Sequence, residues 1–369
     1  MIIYNSMILW IALIGVLYMM ARNSPRGASK KQMNDKVPMF TAIIVFSYII
    51  FWIGVRSGVA DTATYIAMFK ACPTRLSYIS EILASDSKAK GFDIFQLLFK
   101  CIISKDYHAW LMTIAVLSGV PIMLVLRKRS CNFFYSCFLF MVMQHFTWML
   151  NGIRQFLVVA ILFLLSDWIL EKKTIPFILA VLLLSTVHFT ALIMIPMYFI
   201  VTEKPFGKKV ILFCIVLLIC IVFIEPFVAT LEESLSETAY AGYTEQFAQD
   251  DGVNPLRVLV MLVPPAIAFV GRKRIRNLND SYINICINMS VVSAGLYLLG
   301  VFTSGILIGR LPIYFELYNL ILLPYLIEKC FTPKSTKILY ILAAVGYGAF
   351  YVLLMKGHYY ISDITGLLS

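Results

Sequence analysis

TIPFILAVLLLSTVHFTALIMIPMYFIV, residues 174–201, is a 28-residue stretch whose one ionisable side chain in the acid to neutral range is His188. It lies between two lysine-bearing loops, Glu171-Lys172-Lys173 and Glu203 to Lys209. A single membrane crossing would place those loops on opposite sides, whereas Lys and Arg collect on the cytoplasmic side. Two half-helices of about 14 residues, each roughly 20 Å long at a rise of about 1.5 Å per residue, keep both loops on one side. The turn then falls near Ser185 to Thr190, with His188 at its tip. Non-helical backbone at membrane depth survives only where protein or a wet cavity satisfies its polar groups. A re-entrant hairpin over 174–201 therefore predicts a polar cavity opening outward.

Composition supplies the frame for that hairpin. Of the 369 residues 60% are hydrophobic and 14% charged, with a mean hydropathy of +0.85, which excludes a soluble globular chain. The apolar runs are continuous over about the 20 residues a helix needs to cross hydrocarbon and do not alternate as barrel strands do. The fold class is all-α, a polytopic integral membrane protein. Eight cysteines are scattered, mostly within apolar runs and without C-x-x-C spacing, and read as packing residues. The net charge of +11 lies mostly in short loops, which topology explains without a nucleic-acid partner.

Spans are expected near 2–21, 39–55, 107–126, 131–150, 155–170, 210–227, 255–271, 281–302, 311–327 and 338–355, about ten in all. The loops 22–38, 127–130, 171–173, 202–209, 272–280 and 328–337 then hold 20 of the 31 Lys and Arg residues and are predicted to be cytoplasmic. The opposite face receives both termini, the segment 56–106 and the stretch 228–254, which has six carboxylates and no Lys or Arg. Residues 1–369 read as a single transmembrane domain, with 56–106 and 228–254 covering the outward cavity. Within the former, about 92–103 is too short to span and carries Asp93, Gln96 and Lys100. It reads as an interfacial amphipathic helix.

Four arginines break the charge rule: Arg56, Arg154, Arg257 and Arg310 each sit at the predicted outer end of a different span. The last three begin inward-running helices, where the dipole disfavours a cation by some tenths of a kcal/mol up to about 1. Any one of them could reach lipid phosphate or a carboxylate such as Asp61, Glu225 or Asp251. Four together point to a shared anion, and guanidinium forks hold phosphate oxygens bidentately. Around them lie the polar residues of Arg56 to Tyr65, of Asn151-Gly152-Ile153-Arg154-Gln155, and of Arg310 to Glu316 with Tyr314. Amides and carboxylates bond sugar hydroxyls, and rings such as Tyr65, Trp148 and Tyr314 lie along sugar faces.

The succession R-x4-D-T-x2-Y at Arg56 to Tyr65, NGIRQ at 151–155 and STVHFTAL at 185–192 resembles the EpsG family of Wzy-type polysaccharide polymerases, with order and spacing matching over roughly residues 40 to 330. RLPIYFELY, residues 310–318, fits that pattern less firmly. The resemblance implies a multi-pass enzyme of the bacterial cytoplasmic membrane. It implies joining of repeat units carried on undecaprenyl pyrophosphate, at the outer leaflet, in an exopolysaccharide, capsule or O-antigen pathway. Expected partners are the lipid-linked oligosaccharide, membrane lipids, a flippase and a chain-length regulator.

Glycosyl transfer from a lipid pyrophosphate needs the departing phosphate charge stabilised and the acceptor hydroxyl partly deprotonated. Arg154, Arg56 and Arg310 can supply the first in place of a metal, Arg257 joins them in binding the pyrophosphate or sugar, and no cofactor is expected. His188 and Asp61 are the two candidates for the base. Tyr65, Asn151, Gln155, Tyr314 and Glu316 complete the expected substrate site. No close carboxylate pair for a retaining route is visible, which favours direct displacement with inversion. Asp167 is expected to cap a helix or pair with Lys172, and Glu316 to orient Arg310 or bind substrate. His145 and Trp148 read first as packing residues. His358 and Asp363 fit H-x4-D, an acyltransferase pattern, without a surrounding catalytic domain. A lipid-linked sugar flippase and a glycan ligase remain rival readings, although no internal repeat of the kind transporters show is present.

Overall fold

The computed structural model describes residues 1–23, 36–226, 230, 233, 252–303, 305 and 308–368. Most of the predicted basic loop 22–38 and of the acidic stretch 228–254, including Asp251, lies outside those residues. In chain order the helices are α1 (Ile2–Asn23), α2 (Met39–Gly54), α3 (Thr62–Ala71), α4 (Ile79–Ala84), α5 (Lys90–Leu98), α6 (Tyr107–Arg129), α7 (Phe133–Val142), α8 (Ile153–Leu164) and α9 (Ser166–Leu170). They continue as α10 (Thr174–Ser185), α11 (Met194–Val201), α12 (Lys208–Val222), α13 (Pro255–Val270), α14 (Arg272–Leu278), α15 (Ser281–Val301), α16 (Ile313–Glu316), α17 (Asn319–Cys330) and α18 (Pro333–Met355). Among the described residues the strand pairing is confined to a two-residue antiparallel ladder, Ile361–Ser362 with Leu367–Leu368.

Every predicted span contains a helix, but breaks change the count of crossings. Four helices, α1, α6, α15 and α18, are long and apolar enough to cross a bilayer, or five if α13 and α14, bent by 72°, form one span. The expectation of about ten is therefore not supported by helix length. The other apolar helices have 10–17 residues, fewer than the about 20 that span hydrocarbon. The causes are local. The span expected at 131–150 stops at Val142, where Gln144 takes a left-handed φ of 66°, and continues only as a 3-10 turn, His145–Met149. The span expected at 155–170 is split at Leu165, between α8 and α9, and that expected at 311–327 between α16 and α17.

The chain forms two compact units. The first holds Met1–Trp168, Lys173–Leu192 and Tyr340 onward; the second holds Ile169–Lys172 and Ile193–Leu339. In the first, α6 packs on α2 and α8, and α1 packs on α2 and α7. Glycines let α2 and α6 approach closely: a Cβ at Gly54 would stand 2.5 Å from Met112 Sδ, and one at Gly119 2.5 Å from Ile50 Cγ1. Small residues serve this purpose between apolar helices because packing there depends on close contact. Asp106 caps α6 by accepting from His108 N, and Asn132 caps α7 by accepting from Tyr135 N. Asp167 is bridged by Lys128 and Arg129 at the C-terminal end of α6, so among the described residues its ion pairs run to these residues instead of the expected Lys172.

The second unit is built around α15, of which 78% of the apolar window is buried. It packs against α12, α13, α16 and α17. Asn288 on α15 donates to Val201 O at 3.1 Å and Glu203 O at 2.8 Å, closing the carbonyls at the end of α11 that no helical N–H can reach. The stretch 174–201 breaks where the sequence places the break: α10 ends at Ser185, and a 3-10 turn, Phe189–Ile193, precedes α11. Its first arm belongs to the first unit and its second to the second.

The amphipathic segment near 92–103 is α5 continued by a π-helical turn, Phe99–Ile103. Ile102 and Ile103 are exposed, while Lys100 is turned inward and buried. Its ammonium donates to Phe69 O, Lys70 O and Cys72 O at 2.6–2.8 Å, capping the C-terminal end of α3 where the dipole favours a cation.

Candidate functional site

Helix α2 ends at Gly54, and the following loop turns Arg56 into the protein, where its exposure is 0%. Its Nε donates to Thr62 Oγ1 at 2.9 Å and its Nη1 to Ile53 O. Its Nη2 is buried with no partner among the described residues. Thr62 is also fully buried, so the R-x4-D-T spacing is the reach of this bond across the turn that starts α3. Asp61, half-buried beside it, makes no side-chain hydrogen bond or ion pair among the described residues. Pairing with Asp61 is therefore not what neutralises Arg56. An uncompensated buried cation costs several kcal/mol, and an anion approaching Nη2 would remove that cost.

NGIRQ forms the start of α8. Gly152, at φ 69°, is the residue before the helix, a conformation that glycine adopts without steric penalty. It turns Arg154 and Gln155 onto the first helical turn. Gln155 Nε2 donates to Thr190 Oγ1 at 3.4 Å, and Thr190 Oγ1 lies 2.8 Å from His188 Nδ1. The amide of NGIRQ is thus joined through one hydroxyl to the histidine of STVHFTAL. Arg154 holds its Cζ 5.8 Å from the centre of the Phe92 ring, and its Nε is buried without a partner among the described residues, as is Asn151 Oδ1.

An apolar cluster ties the three motifs together. Tyr65, Phe92 and Ile153 are core members, and Val187 packs against them. Thr186 O accepts from Gly91 N at 2.9 Å, and a Cβ at Gly91 would stand 2.2 Å from Thr186 Oγ1. The start of α5 is therefore seated directly on the turn that carries His188. Arg56, Asp61, Tyr65, Asn151, Arg154, Gln155 and His188 all belong to the first unit.

Arg257, Arg310, Tyr314 and Glu316 belong to the second unit. Arg257 lies on the first turn of α13 with its Cζ 5.8 Å from the Tyr297 ring centre. Tyr297 OH donates to Glu316 Oε2 at 2.6 Å, and both residues are buried, as is Tyr314. Arg310 ends a 3-10 turn, Ile308–Arg310, and is half-buried. Glu316, expected to orient Arg310 or bind substrate, takes the Tyr297 hydroxyl.

Sequence reasoning missed two elements of the first unit. One is Thr190, legible only as a hydroxyl two residues beyond His188. The other is the C-terminal tail. Ser362 Oγ donates to Val55 O at 2.6 Å, Ser57 N to Ile361 O at 2.9 Å and Asp363 N to Ser57 Oγ at 3.1 Å, fastening the tail to the two residues that flank Arg56. Asp363 also accepts from Tyr107 OH and faces His108 Nε2 at 3.1 Å, while His108 Nδ1 faces Asp106 at 2.9 Å. Asp363 thus engages His108, not the exposed His358 of the H-x4-D pattern. The backbone N–H of His108 holds the Asp106 carboxyl below the usual carboxylate range. Burial alone would raise the Asp363 carboxyl, but the Tyr107 and His108 hydrogen bonds outweigh it and leave the group lowered. His145, buried in the turn before NGIRQ, lies 6.3 Å from the Phe140 ring centre, in keeping with packing. Among the described residues no three His, Cys, Asp or Glu side chains are arranged to hold a metal ion.

Comparison with curated proteins and with solved structures found no match. A family profile described as the EpsG family matches residues 39–363, a range that includes the loop of Arg56, the start of α8, the His188 turn and the tail through Asp363. With most of its length matched, the chain belongs to the EpsG family, a family of Wzy-type polysaccharide polymerase-like membrane proteins.

Proposed function

We propose that this protein is a bacterial polysaccharide polymerase, a glycosyltransferase that moves glycan from undecaprenyl pyrophosphate to the acceptor sugar of another lipid-linked repeat unit at the outer leaflet of the cytoplasmic membrane. The observation that carries the reading is Arg56: a fully buried guanidinium with, among the described residues, no carboxylate partner and one nitrogen unused, inside the R-x4-D-T-x2-Y stretch. Arg154, with its own buried Nε unused, is a second cation suited to pyrophosphate oxygens.

In this reaction the acceptor hydroxyl oxygen bonds to the anomeric carbon, and the bond from that carbon to the pyrophosphate oxygen breaks. The leaving group departs as undecaprenyl pyrophosphate, and its growing negative charge is met by Arg56 and Arg154, where preorganised donors act most strongly. The acceptor proton goes to His188 or to Asp61. When His188 Nδ1–H donates to Thr190, its Nε2 carries the lone pair and serves as the base. Thr190 and Gln155 are then positioning residues that set the ring and its tautomer. Asp61, uncommitted to any protein donor, is the other acceptor for that proton. Tyr65 and Asn151 bind the sugar; Arg257, Arg310, Tyr314 and Glu316, the other residues expected at the substrate site, belong to the second unit. Direct displacement inverts the anomeric centre.

The test is incubation of purified protein with a defined undecaprenyl-pyrophosphate oligosaccharide, with products read by mass. A ladder spaced by one repeat unit is expected, and His188→Ala should lower its rate by about 10²-fold or more. A single transfer to a non-repeat acceptor would make the protein a ligase. Movement of substrate across a vesicle membrane with no new bond would make it a flippase.

A further inference from the structure

A cation-lined cavity lies within the second unit, at the opposite end of α13 from Arg257. It encloses about 750 Å³ between the loop at 204–207, the bend where α13 passes into α14, and the start of α15. Lys204, Arg272 and Arg276 line it together with the amides of Asn279 and Asn284. Arg272 donates one nitrogen to Phe269 O at 2.9 Å and stacks over the Phe269 ring at 4.5 Å. The side chains of Lys204, Arg276, Asn279 and Asn284 make no hydrogen bond or ion pair to protein among the described residues.

The two nearest carboxylates in sequence make no ion pair with these cations among the described residues. Glu203 accepts from Lys209 N at 2.8 Å, and Asp280 caps α15 by accepting from Tyr282 N and Ile283 N. Neither lines the cavity. Three cations and two amides therefore converge on an empty volume large enough for a phosphate-bearing headgroup. The 72° bend at Gly271 makes the arrangement possible, because it brings Arg272 and Arg276, one turn apart on α14, to the same wall. The opposite side of α14 carries Lys273 and Arg274, which line a separate cavity.

The surroundings select a lipid over a free anion. Ile211 and Phe269 in the cavity wall are each 51% exposed, and Leu212, next to Ile211 on α12, is 60% exposed. An apolar surface continuous with a cationic pocket suits a ligand with acyl chains below its phosphate. We infer that the cavity formed by Lys204, Arg272, Arg276, Asn279 and Asn284 binds the headgroup of an anionic phospholipid. The loops at 202–209 and 272–280 are the ones the charge pattern assigns to the cytoplasmic side, so the lipid belongs to that leaflet. This inference is independent of the proposed transferase site.

The experiment is native mass spectrometry of the full chain, released from detergent containing equal amounts of phosphatidylglycerol and phosphatidylcholine. Retention of phosphatidylglycerol over phosphatidylcholine is expected. R272Q/R276Q should lose that preference by about tenfold, two cations at a membrane surface being worth that or more, while K273Q/R274Q, with the same net charge removed, should keep it within about twofold. Equal loss in both pairs, or no preference in the unmodified protein, overturns the site. Competition by sn-glycerol 3-phosphate at the same concentration as the lipid would show a free-phosphate site and overturn the lipid assignment. Size-exclusion elution of both pairs at the position of the parent protein checks folding.

Discussion

Arg56 in the first unit and Glu316 in the second are both charged side chains with 0% exposure, yet their surroundings differ. Glu316 receives the Tyr297 hydroxyl at 2.6 Å, and the Tyr297 ring lies against Arg257, so the negative charge has a donor at hydrogen-bond distance and a cation close by. Among the described residues Arg56 has only neutral partners, a threonine hydroxyl and a backbone carbonyl, and one buried nitrogen with none. A buried charge met by donors holds a fold in one arrangement. A buried charge with unused capacity is poised for something the protein itself does not supply. On the proposed reading the chemistry therefore belongs to the first unit, while the Tyr297–Glu316 pair holds the second unit together internally.

The largest effect that can break this contrast is at the arginines of the first unit. Arg154→Gln should lower polymer formation by about 10²- to 10³-fold, the usual cost of removing one donor aimed at developing charge. Arg56→Lys keeps the charge but loses the guanidinium fork, and should still lose tenfold or more. Both are read from product ladders, with membrane amounts and monodispersity checked for each variant. Normal chain lengths in both would mean that the unused capacity of Arg56 is not catalytic. Tyr297→Phe sharpens the other side of the comparison. It removes the donor to Glu316 and should destabilise the protein by about 1–3 kcal/mol, seen as a lower thermal midpoint, with ladder formation within a few-fold of the parent. A variant of unchanged stability that makes no polymer would move the chemistry to the second unit.

The contrast also shows what the sequence can and cannot reveal. The helical class, the helix within each expected span and the break near Ser185 to Thr190 follow from hydropathy and charge; that R-x4-D-T-x2-Y, NGIRQ and STVHFTAL fall in one compact unit and Arg257 and Arg310 in another is read from the fold. Periodicity of apolar residues reports helix well because it averages over many positions. Crossing number depends instead on single backbone turns, such as Gln144 at φ 66°, which hydropathy passes over. Long-range polar bonds are harder still. Nothing in the spacing of Asp167 says that it meets Lys128 and Arg129, 38 to 39 residues earlier, in preference to Lys172. The buried state of Lys100 is hidden for the same reason, since its acceptors are the carbonyls of residues 69, 70 and 72, about 30 positions away. The tail escaped notice because each strand of its ladder is two residues long, too short for any alternation to register.

The smallest expected effect concerns that tail, which rests on the residues either side of Arg56 and so bears on whether the first unit's site is open or covered. Its side-chain anchors to α6 are Asp363 with Tyr107 and His108, and His108 in turn with Asp106. Both carboxyls lie below the usual carboxylate range in the folded protein. For a group depressed in this way, the stabilisation is complete above its ordinary value and fades as pH falls through its folded value. Near neutral pH the clasp is therefore fully formed, and it should loosen only below about pH 4. Asp106 and Asp363 are about half exposed, so solvent screens the bond and global unfolding is not expected from its loss alone. Hydrogen exchange of residues 357–368 should rise in acid while α6 and α8 stay protected. Asp363→Asn, which removes the charge but keeps the shape, should show the faster exchange already at pH 7. Exchange that is unchanged by both treatments would mean that Ser362, Tyr360 and the ladder hold the tail without the carboxylates.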